Sequence, residues 1–329
     1  MTGAGRDAFS RKVLLQKPVK DMELKEKMTA DMIVKEMEKA GGFSAAHFAT
    51  GVKILEKMLL DKACFKFFST PACVFATGLR GVIREMVKRK MLDCIITTCG
   101  MLDHDLARTW KDYYCGDFLM DDSRLRDAGI NRLGNVLVPD ESYGLILEKK
   151  LLPILQSLRE LGIKEFSTFE LCRYLGEALD KNKIPNKEDS VLYWAYKNNI
   201  PVIVPGPTDG SVGAQLWMFY QEHKDLRIDL MKDEQFLSDI IFTAKKTGAV
   251  MIGGGISKHH TIWWNQFRGG LDYAVYITTA VEYDGSLSGA RMREAVSWGK
   301  VQPDADYITI DGDASILLPF MIAAVLDRI

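Results

Sequence analysis

Apolar residues between positions 22 and 61 recur at helical spacing, whereas those after residue 63 fall into short β-prone runs separated by helical segments. Residues 1–20 show no period and carry Gly3, Gly5 and Pro18, so we expect a flexible N-terminal arm. Helices are predicted over residues 22–39 and 44–61, where apolar side chains recur every three or four positions. Residues 21–62 are therefore predicted to form a helical extension.

The remainder of the chain alternates between β-prone and helical segments. Strands are predicted at 64–69, 92–98, 202–204, 249–252, 273–277 and 307–310, and helices at 74–90, 143–161, 168–179, 190–198, 212–223, 233–247 and 314–326. Strands separated by helices of this length favour right-handed crossovers and parallel pairing. We therefore predict an α/β fold with a Rossmann-like, mostly parallel sheet flanked by helices, in which residues 21–329 form a single domain.

Composition narrows the class of protein. The 329 residues carry a net charge of -1 with a pI ≈ 6.5, which argues against wholesale binding to nucleic acid or an anionic membrane. No apolar run approaches the roughly 20 residues that span a bilayer, and the N-terminus lacks a secretory signal, so we expect a cytoplasmic protein. The six cysteines include no Cys-x-x-Cys pair, which favours buried thiols over zinc or redox chemistry.

Small, hydroxylated or acidic residues follow almost every predicted strand. They occur at 69–70, 97–100, 208–211, 253–255, 278–280 and 311–315. Ligands of open parallel sheets bind at the carboxyl ends of the strands, where small residues admit phosphate and acids hold ribose hydroxyls, so this edge suits a nucleotide. The alternative is that these residues only turn the chain and cap helices. The 253–255 glycine run is neither G-x-G-x-x-G nor a Walker A motif, so its signal for phosphate is weak alone.

The chemically densest stretch runs from residue 273 to residue 300. It supplies carboxylates at Glu282, Asp284 and Glu294, an aromatic face at Trp298 and an amine at Lys300. Carboxylates pair with ammonium groups, and an indole face attracts a cation while covering methylenes, so this set suits a polycationic amine. Lys300 could attack an imine or carbonyl carbon if the aromatic wall excluded water from it, although most lysines are ordinary surface residues.

Histidines supply a second set of candidates. His259 follows the glycine run and is a candidate for proton transfer or hydrogen bonding, and His104, between two aspartates, is ambiguous in the same way. His259 and His260 are adjacent on the predicted helix and point about 100° apart, and no partner in register completes a metal site. We therefore expect no metal.

Residues 273–300 resemble a conserved segment of the deoxyhypusine synthase family, and other segments of the chain resemble that family as well. The segment EAVSWGK at 294–300 resembles the signature around that family's imine-forming lysine. Further matches are GLR at 78–80, TTCG at 97–100, GINRLGNVLVP at 129–139, TDGSVG at 208–213, GGGISKHH at 253–260, DYAVYITTA at 272–280, DGSLSGAR at 284–291 and GDAS at 312–315. The resemblance covers roughly residues 65–329.

The resemblance implies a fold, a reaction and an assembly. Family members are Rossmann-like homotetramers that bind NAD in sites formed between two subunits. NAD takes a hydride from spermidine, the active-site lysine captures the resulting imine with loss of 1,3-diaminopropane, and the butylimine passes to one lysine of the translation initiation factor 5A precursor. The stored hydride then reduces it to deoxyhypusine.

Individual residues carry over from the family motifs. The imine-forming lysine is Lys300, and His259 would assist proton transfer. The residues that would bind NAD are Thr98, Cys99, Gly100, Asp209, Gly254, Thr279, Ala280, Asp313 and Ala314. The residues that would face the amine substrate are Asp103, His104, Gly285, Ser286, Glu294 and Trp298.

Three positions depart from the eukaryotic family pattern and approach the archaeal one. His104, Ala214 and Leu287 stand where acidic residues are expected. Losing carboxylates weakens the binding of a trication, although Asp103 or other nearby acids could compensate. A homospermidine synthase or related aminobutyl transferase acting on a free amine therefore stays open, as does a catalytically silent paralogue that binds NAD or polyamine.

Overall fold

The computed structural model describes residues 15–182 and 184–329, and a six-stranded parallel sheet lies at its centre. The strands run in the order β11 (Val301–Asp311), β10 (Leu271–Thr278), β9 (Lys246–Ile252), β1 (Cys64–Ser69), β2 (Cys94–Ile96) and β7 (Val202–Ile203). The chain leaves β1 first toward β2 and β7 and later returns to the other side through β9, β10 and β11. This order is that of a doubly wound sheet with its switch point between β1 and β9. The predicted mostly parallel α/β fold is confirmed.

Apolar side chains cover both faces of this sheet. Phe68 and Val250 belong to the larger core on one face, and their strand neighbours Phe67 and Ala249 belong to the core on the other. Successive strand residues point to opposite faces, so a strand buried on both sides reads as a continuous apolar run. Burial on both faces explains why the sequence marks these strands by continuous apolar runs, without strict alternation of apolar and polar residues.

Helices pack against both faces and connect the strands. Their bounds are α1 Ala30–Ala40, α2 Phe43–Leu60, α3 Leu79–Lys88, α4 Cys99–Trp110, α5 Asp122–Asp127, α6 Gly144–Glu160, α7 Thr168–Lys181, α8 Val191–Asn198, α9 Ser211–Glu222, α10 Leu230–Thr243, α11 Gly255–Gln266, α12 Met292–Ser297 and α13 Ala314–Leu326. Short 3₁₀ turns occupy Ala72–Ala76, Asp140–Ser142 and Lys187–Asp189. Among the described residues, no helix is long and apolar enough to cross a membrane.

Two small sheets lie outside the predicted elements. An antiparallel sheet has the order β3 (Tyr114–Cys115), β5 (Val136–Pro139) and β4 (Ile130–Leu133), and β6 (Glu165–Phe166) pairs with β8 (Arg227–Ile228). These strands have only two to four residues, too few to display a period in the sequence. Their existence depends on tertiary pairing.

Several predicted boundaries were wrong. The helix predicted from residue 22 begins at Ala30, because Thr29 accepts a hydrogen bond from the Met32 amide and caps it. The helix predicted over 74–90 is interrupted between the Ala72–Ala76 turn and α3. The helix predicted over 233–247 spans Leu230–Thr243 instead, and Lys246 already pairs in β9. The strand predicted over 92–98 is limited to Cys94–Ile96.

The N-terminal helices are part of the main core. The Phe48 ring stacks on Phe320 of α13 with centroids 5.2 Å apart, and Val52 and Leu55 are buried beside it. Residues 1–14 of the predicted arm lie outside the described residues, and residues 15–29 belong to no helix or strand. The division into an arm and a single domain from residue 21 stays a prediction.

Candidate active site

The loops that were expected to bind a nucleotide share the edge of the sheet at the carboxyl ends of its strands, called the nucleotide edge below, because all six strands are parallel. The loop after β1 and the glycine loop after β9 adjoin at the switch point, where a Cβ on Gly253 would lie 3.6 Å from the Pro71 ring. The loop after β2 joins them, since the Thr97 hydroxyl donates to the Thr70 carbonyl at 2.9 Å. Crevices at such switch points are the usual ligand sites of open α/β sheets.

Glycines permit close approach of backbone segments along this edge. A Cβ on Gly100 would lie 2.8 Å from the Ala72 Cβ, and one on Gly254 would lie 2.8 Å from the Ser288 Cα. Gly255 has a φ of +74°, a value that side chains rarely adopt. Helices α4, α11 and α13 begin at this edge, and amide groups at helix N-termini favour phosphate.

Polar groups at the same edge complete the features of a dinucleotide site. Asp209 and Asp313 are exposed and able to hold ribose hydroxyls, although Asp313 also caps α13 through the Ser315 amide at 2.8 Å. Thr279 is exposed, and the neighbouring Ala280 amide donates to the Thr278 hydroxyl at 3.1 Å. The residue types and spacing on this edge fit NAD.

Asp103 lies beside this edge but is completely buried. Its Oδ1 accepts from the Val212 amide at 2.7 Å, and its Oδ2 accepts from the Ser211 amide at 2.8 Å and the Tyr143 hydroxyl at 2.7 Å. Burial raises the pKa of Asp103, and these hydrogen bonds oppose the rise. Asp103 therefore anchors the start of α9, and its predicted contact with the substrate stays a prediction.

His104 occupies an aromatic environment. Its Nδ1 lies 3.0 Å from the Tyr113 hydroxyl, and its ring packs against Tyr113 and Tyr143 at centroid distances of 5.8 and 5.5 Å. Burial and, secondarily, the Arg108 charge lower the pKa of His104 to about 4. The side chain is consequently neutral near pH 7. The family resemblance led us to expect an acidic residue at this position, but His104 contributes no charge there.

Lys300 lies in a separate cavity of about 610 Å³. Its Nζ is 5.3 Å from the Trp298 ring centre and 5.8 Å from the Trp263 ring centre. Gly299, with a φ of +68°, ends helix α12, and the Lys300 amide donates back to the Ala295 carbonyl at 2.9 Å. The Trp-Gly-Lys sequence therefore places the amine between two indole faces. The cavity is lined by Gly255, Ile256, Lys258, His259, Ile262, Trp263, Ser286, Leu287, Ala290, Arg291, Met292, Glu294, Ala295, Trp298 and Lys300.

His259 shares the cavity with Lys300. Its ring stacks on Trp263, four residues later on α11, with centroids 5.8 Å apart and planes 23° from parallel. Partial burial and the nearby Lys300 charge lower the pKa of His259. A neutral imidazole at this place is able to accept a proton from an amine.

Lys258 is a cavity residue that our sequence reasoning did not single out. It is only 5% exposed, and burial lowers its pKa to about 8. Its Nζ donates to the Ala290 carbonyl at 3.1 Å. The sequence does contain a signal, because Lys258 shares the three-to-four spacing of Thr261, Ile262 and Asn265, the inward face of α11. A lysine on the buried face of a helix is a candidate for a functional group, because burial shifts its pKa.

The structure brings the predicted residues together as two groups. Ser286, Glu294, Trp298, His259 and Lys300 line the cavity, whereas the residues that follow β2 and β7 do not. Gly285 is exposed in the turn that precedes Ser286. Gly254 connects the two groups of residues, because its backbone lies against Ser288, which belongs to the loop that borders the cavity.

The cavity spans the depth of the sheet. Lys300 precedes Val301, which pairs with Leu271 at the amino end of β10, and Thr278 at the carboxyl end is seven residues later. At about 3.3 Å per residue, the Lys300 backbone lies roughly 23 Å from the nucleotide edge. Gly255 at one end and Lys300 at the other are both lining residues. A substrate chain could therefore extend from the glycine loop toward the lysine.

The strand order and the cavity together define a doubly wound α/β protein with a lysine-containing cavity beside its sheet. The family model for deoxyhypusine synthase matches residues 32–325. Probable deoxyhypusine synthases of Picrophilus torridus and Thermoplasma acidophilum are 56% and 54% identical over 318 residues, covering 97% of this chain and all of each relative. The chain belongs to the deoxyhypusine synthase family, in its archaeal-like branch, and is an enzyme of that type.

A solved structure shows the same fold at lower identity. The crystal structure of a deoxyhypusine synthase homologue from Entamoeba histolytica aligns with a TM-score of 0.68 at 21% identity, covering 94% of this chain and 97% of that one. The fold has therefore persisted while four-fifths of the aligned residues changed. Both the predicted family and the predicted fold are confirmed.

Proposed function

We propose that the chain catalyses the NAD-dependent transfer of the aminobutyl group of spermidine to one lysine of the translation initiation factor 5A precursor, in the cytoplasm. The observation that carries this proposal is the placement of Lys300 between two indole rings, in a cavity that also holds His259 and Glu294. Membership of the family supplies the reaction class.

The nucleotide edge would hold NAD. Thr98, Cys99, Gly100, Asp209, Gly254, Thr279, Ala280, Asp313 and Ala314 are the residues that would contact it. When bound, NAD supplies an acceptor and later a donor of hydride. The chain's own contribution at this edge is to present the backbone amides of helix N-termini and two exposed carboxylates.

The cavity residues would carry out the transfer. Loss of a hydride from the aminobutyl carbon next to the secondary amine of spermidine leaves a C=N bond. The Lys300 nitrogen would add to that carbon, and 1,3-diaminopropane would leave with the original nitrogen, so an imine would join Lys300 to the butyl chain. His259 accepts and returns the protons of these steps, Glu294 holds an ammonium group, and Trp298 covers the methylenes. The acceptor lysine would then displace Lys300 from the imine, and the reduced cofactor, when bound, would supply the hydride that reduces the new imine.

Borohydride trapping tests this proposal directly. The enzyme is incubated with NAD and spermidine, reduced and digested, and we expect an aminobutyl adduct on the peptide that contains Lys300. A Lys300→Ala variant should give no adduct, whereas replacement of the exposed Lys62 by alanine should leave the adduct in place. Absence of any adduct in the wild type would contradict the proposal.

A free amine is the alternative acceptor. The observation that favours a homospermidine synthase or a related aminobutyl transferase is the absence of acidic side chains at His104, Ala214 and Leu287. Product analysis with putrescine and with the factor 5A precursor in parallel separates the two activities. A silent paralogue that only binds NAD or polyamine would release no 1,3-diaminopropane with either acceptor.

We also propose that the active assembly is a homotetramer with sites between subunits. Large apolar side chains near the cavity mouth are exposed in the single chain, including Trp298 at 63% and Leu287 at 64%. A second copy covering this surface would exclude water from the amine site. Light scattering after gel filtration measures the assembly, and a monomeric active species would contradict it.

A further inference from the structure

Arg291 joins two chain segments that lead to the nucleotide edge. Its guanidinium pairs with the Asp311 carboxylate at the carboxyl end of β11, and its Nε lies 3.9 Å from the Oε2 of Glu282. Asp311 comes two residues before Asp313, and Glu282 comes two residues after Ala280. One side chain therefore connects the segments that follow β10 and β11, and each of these segments carries residues that would bind NAD.

The backbone of Arg291 also begins the segment that carries the cavity lysine. Arg291 is the N-cap residue of helix α12, and the following Met292 amide donates to the Thr309 hydroxyl of β11 at 3.0 Å. Residues 291–300 thus form one continuous segment from the nucleotide edge to the cavity lysine, with Glu294 in the first turn of the helix. The placement of Arg291 consequently determines where the carboxylate and the amine of the cavity lie.

The ion pairs of Arg291 are partly open to solvent. Its side chain is 20% exposed, and those of Asp311 and Glu282 are 45% and 46% exposed. Ion pairs at this level of exposure contribute little to the stability of a fold, because solvent screens them. Arg291 nevertheless lines the Lys300 cavity, whereas Arg293, which also pairs with Glu282, does not. The contacts of Arg291 therefore bear on the local geometry of the cavity more than on the stability of the chain.

We infer that Arg291 is a positioning residue that couples the nucleotide edge to the amine cavity. A ligand that restricts the segments after β10 and β11 also restricts the guanidinium between them, so helix α12 loses less freedom when the amine binds. Each ligand then strengthens the binding of the other by the same factor. This inference rests on the proposed function and names the residue that connects its two sites. The contacts join segments of one chain, so a second copy that covers the cavity leaves them in place.

Calorimetry of spermidine binding, with and without NADH, measures this coupling. NADH replaces NAD because the reaction with NAD would consume spermidine. We expect NADH to lower the Kd of the wild type for spermidine by at least about fivefold, and Arg291→Gln to reduce that ratio to less than about twofold. The Kd measured without NADH should change less than the ratio does. Thermal unfolding of the variant should give a Tm within about 3 °C of the wild type, since the lost ion pairs are partly exposed.

Two further variants separate coupling from a general loss of structure. Asp311→Asn removes the same ion pair from its other side, so it should lower the ratio to the same extent, and its combination with Arg291→Gln should add nothing. Asp311→Asn also carries the test if Arg291→Gln does not fold. Arg293→Gln is the matched control, because it removes another arginine that pairs with Glu282 but leaves the contacts of Arg291 in place. This control should keep the wild-type ratio.

Three outcomes would overturn the inference. The first is a ratio near one in the wild type, and the second is an equal ratio in Arg291→Gln and Arg293→Gln. The third is a loss of spermidine affinity in Arg291→Gln that is the same with and without NADH, because Arg291 would then only maintain the shape of the cavity. A borohydride adduct on the wild-type Lys300 peptide would leave the proposed function intact in all three cases. Absence of that adduct would contradict the proposed function, and the inference with it.

Discussion

The ammonium group of Lys258 lies over the ring of Tyr276, with Nζ 3.6 Å from the ring centre. The same atom bonds to the Ala290 carbonyl, and the Tyr276 hydroxyl donates to the Ser288 carbonyl. One buried cation thus joins helix α11, strand β10 and the loop that borders the amine cavity. Cation–π contacts at desolvated sites are worth about 2 kcal/mol, comparable to a buried hydrogen bond.

Lys258→Met should change how stability depends on pH. Burial lowers the pKa of Lys258 to about 8 from its ordinary value of 10.5, so the unfolded chain holds the proton more tightly than the folded one. Between those values, the unfolded state binds more protons, and this group makes the free energy of unfolding rise with pH. Denaturant unfolding at several pH values should show that the wild type gains stability relative to the variant from about pH 8 to 10.5. Parallel curves would contradict a buried, titrating Lys258, and Lys62→Met is the exposed control.

Glu294→Gln should weaken the binding of the amine. Removal of one charged contact is expected to raise KM for spermidine by about 10- to 100-fold, because a hydrogen bond to a charged group contributes about 1.5–3 kcal/mol. The KM for NAD should change by less than about twofold, since Glu294 lies away from the nucleotide edge. Steady-state kinetics with each substrate varied in turn measures both values. An equal increase in both would indicate a general distortion of the site.

Gly254→Ala should disturb the contact between the glycine loop and the cavity loop. The added Cβ would lie 2.8 Å from the backbone Cα of Ser288, so one of the two loops must move. We expect a loss of about 1–3 kcal/mol in unfolding free energy, as for overpacked sites, and weaker binding of NAD measured by calorimetry. Gly285→Ala is the control, because a Cβ there meets nothing within 4 Å. Equal effects of the two substitutions would contradict the steric explanation.

Asp103→Ala should reduce the free energy of unfolding more than substitutions in the Lys300 cavity do. The substitution leaves the Ser211 and Val212 amides and the Tyr143 hydroxyl without their acceptor, and each orphaned buried group costs about 1–3 kcal/mol. Thermal unfolding should show a clear decrease in Tm. Asp209→Asn, in the exposed loop that precedes Ser211, should leave Tm nearly unchanged. An unaltered Tm in Asp103→Ala would mean that this carboxylate serves the substrate rather than the fold.

The sequence predicted which loops share one edge of the sheet, because the carboxyl ends of parallel strands lie on the same side. Once β1, β2, β9, β10 and β11 are recognised as parallel strands, the residues that follow them must share one edge. The apolar runs that mark these strands are long and covered on both faces, so they stand out without any knowledge of their neighbours. The same reasoning fails for β3, β4 and β5, whose few residues acquire their conformation only from pairing.

The cavity was predictable in its residues but not in its charge. The segment that ends at Lys300 identified Glu294 and Trp298, and the glycine-rich segment identified His259. The sequence could not show that Glu282 pairs with Arg293 or that Asp284 is bonded to Ser286. Lys258 was missed since its neighbours in sequence carry the more obvious signals. Side-chain partners across distant segments decide which charges are free, and a linear sequence does not specify them.

The pairing of β1 with β9 also determines when the nucleotide edge can exist. Cys64 pairs with Lys246, so about 180 residues must be synthesised before the two loops at the switch point can meet. Contacts this distant in sequence form slowly, because a long loop must close before any pairing energy is gained. We therefore expect the growing chain to complete the β1–β2 half first and to form the crevice at its switch point only after β9 has been synthesised.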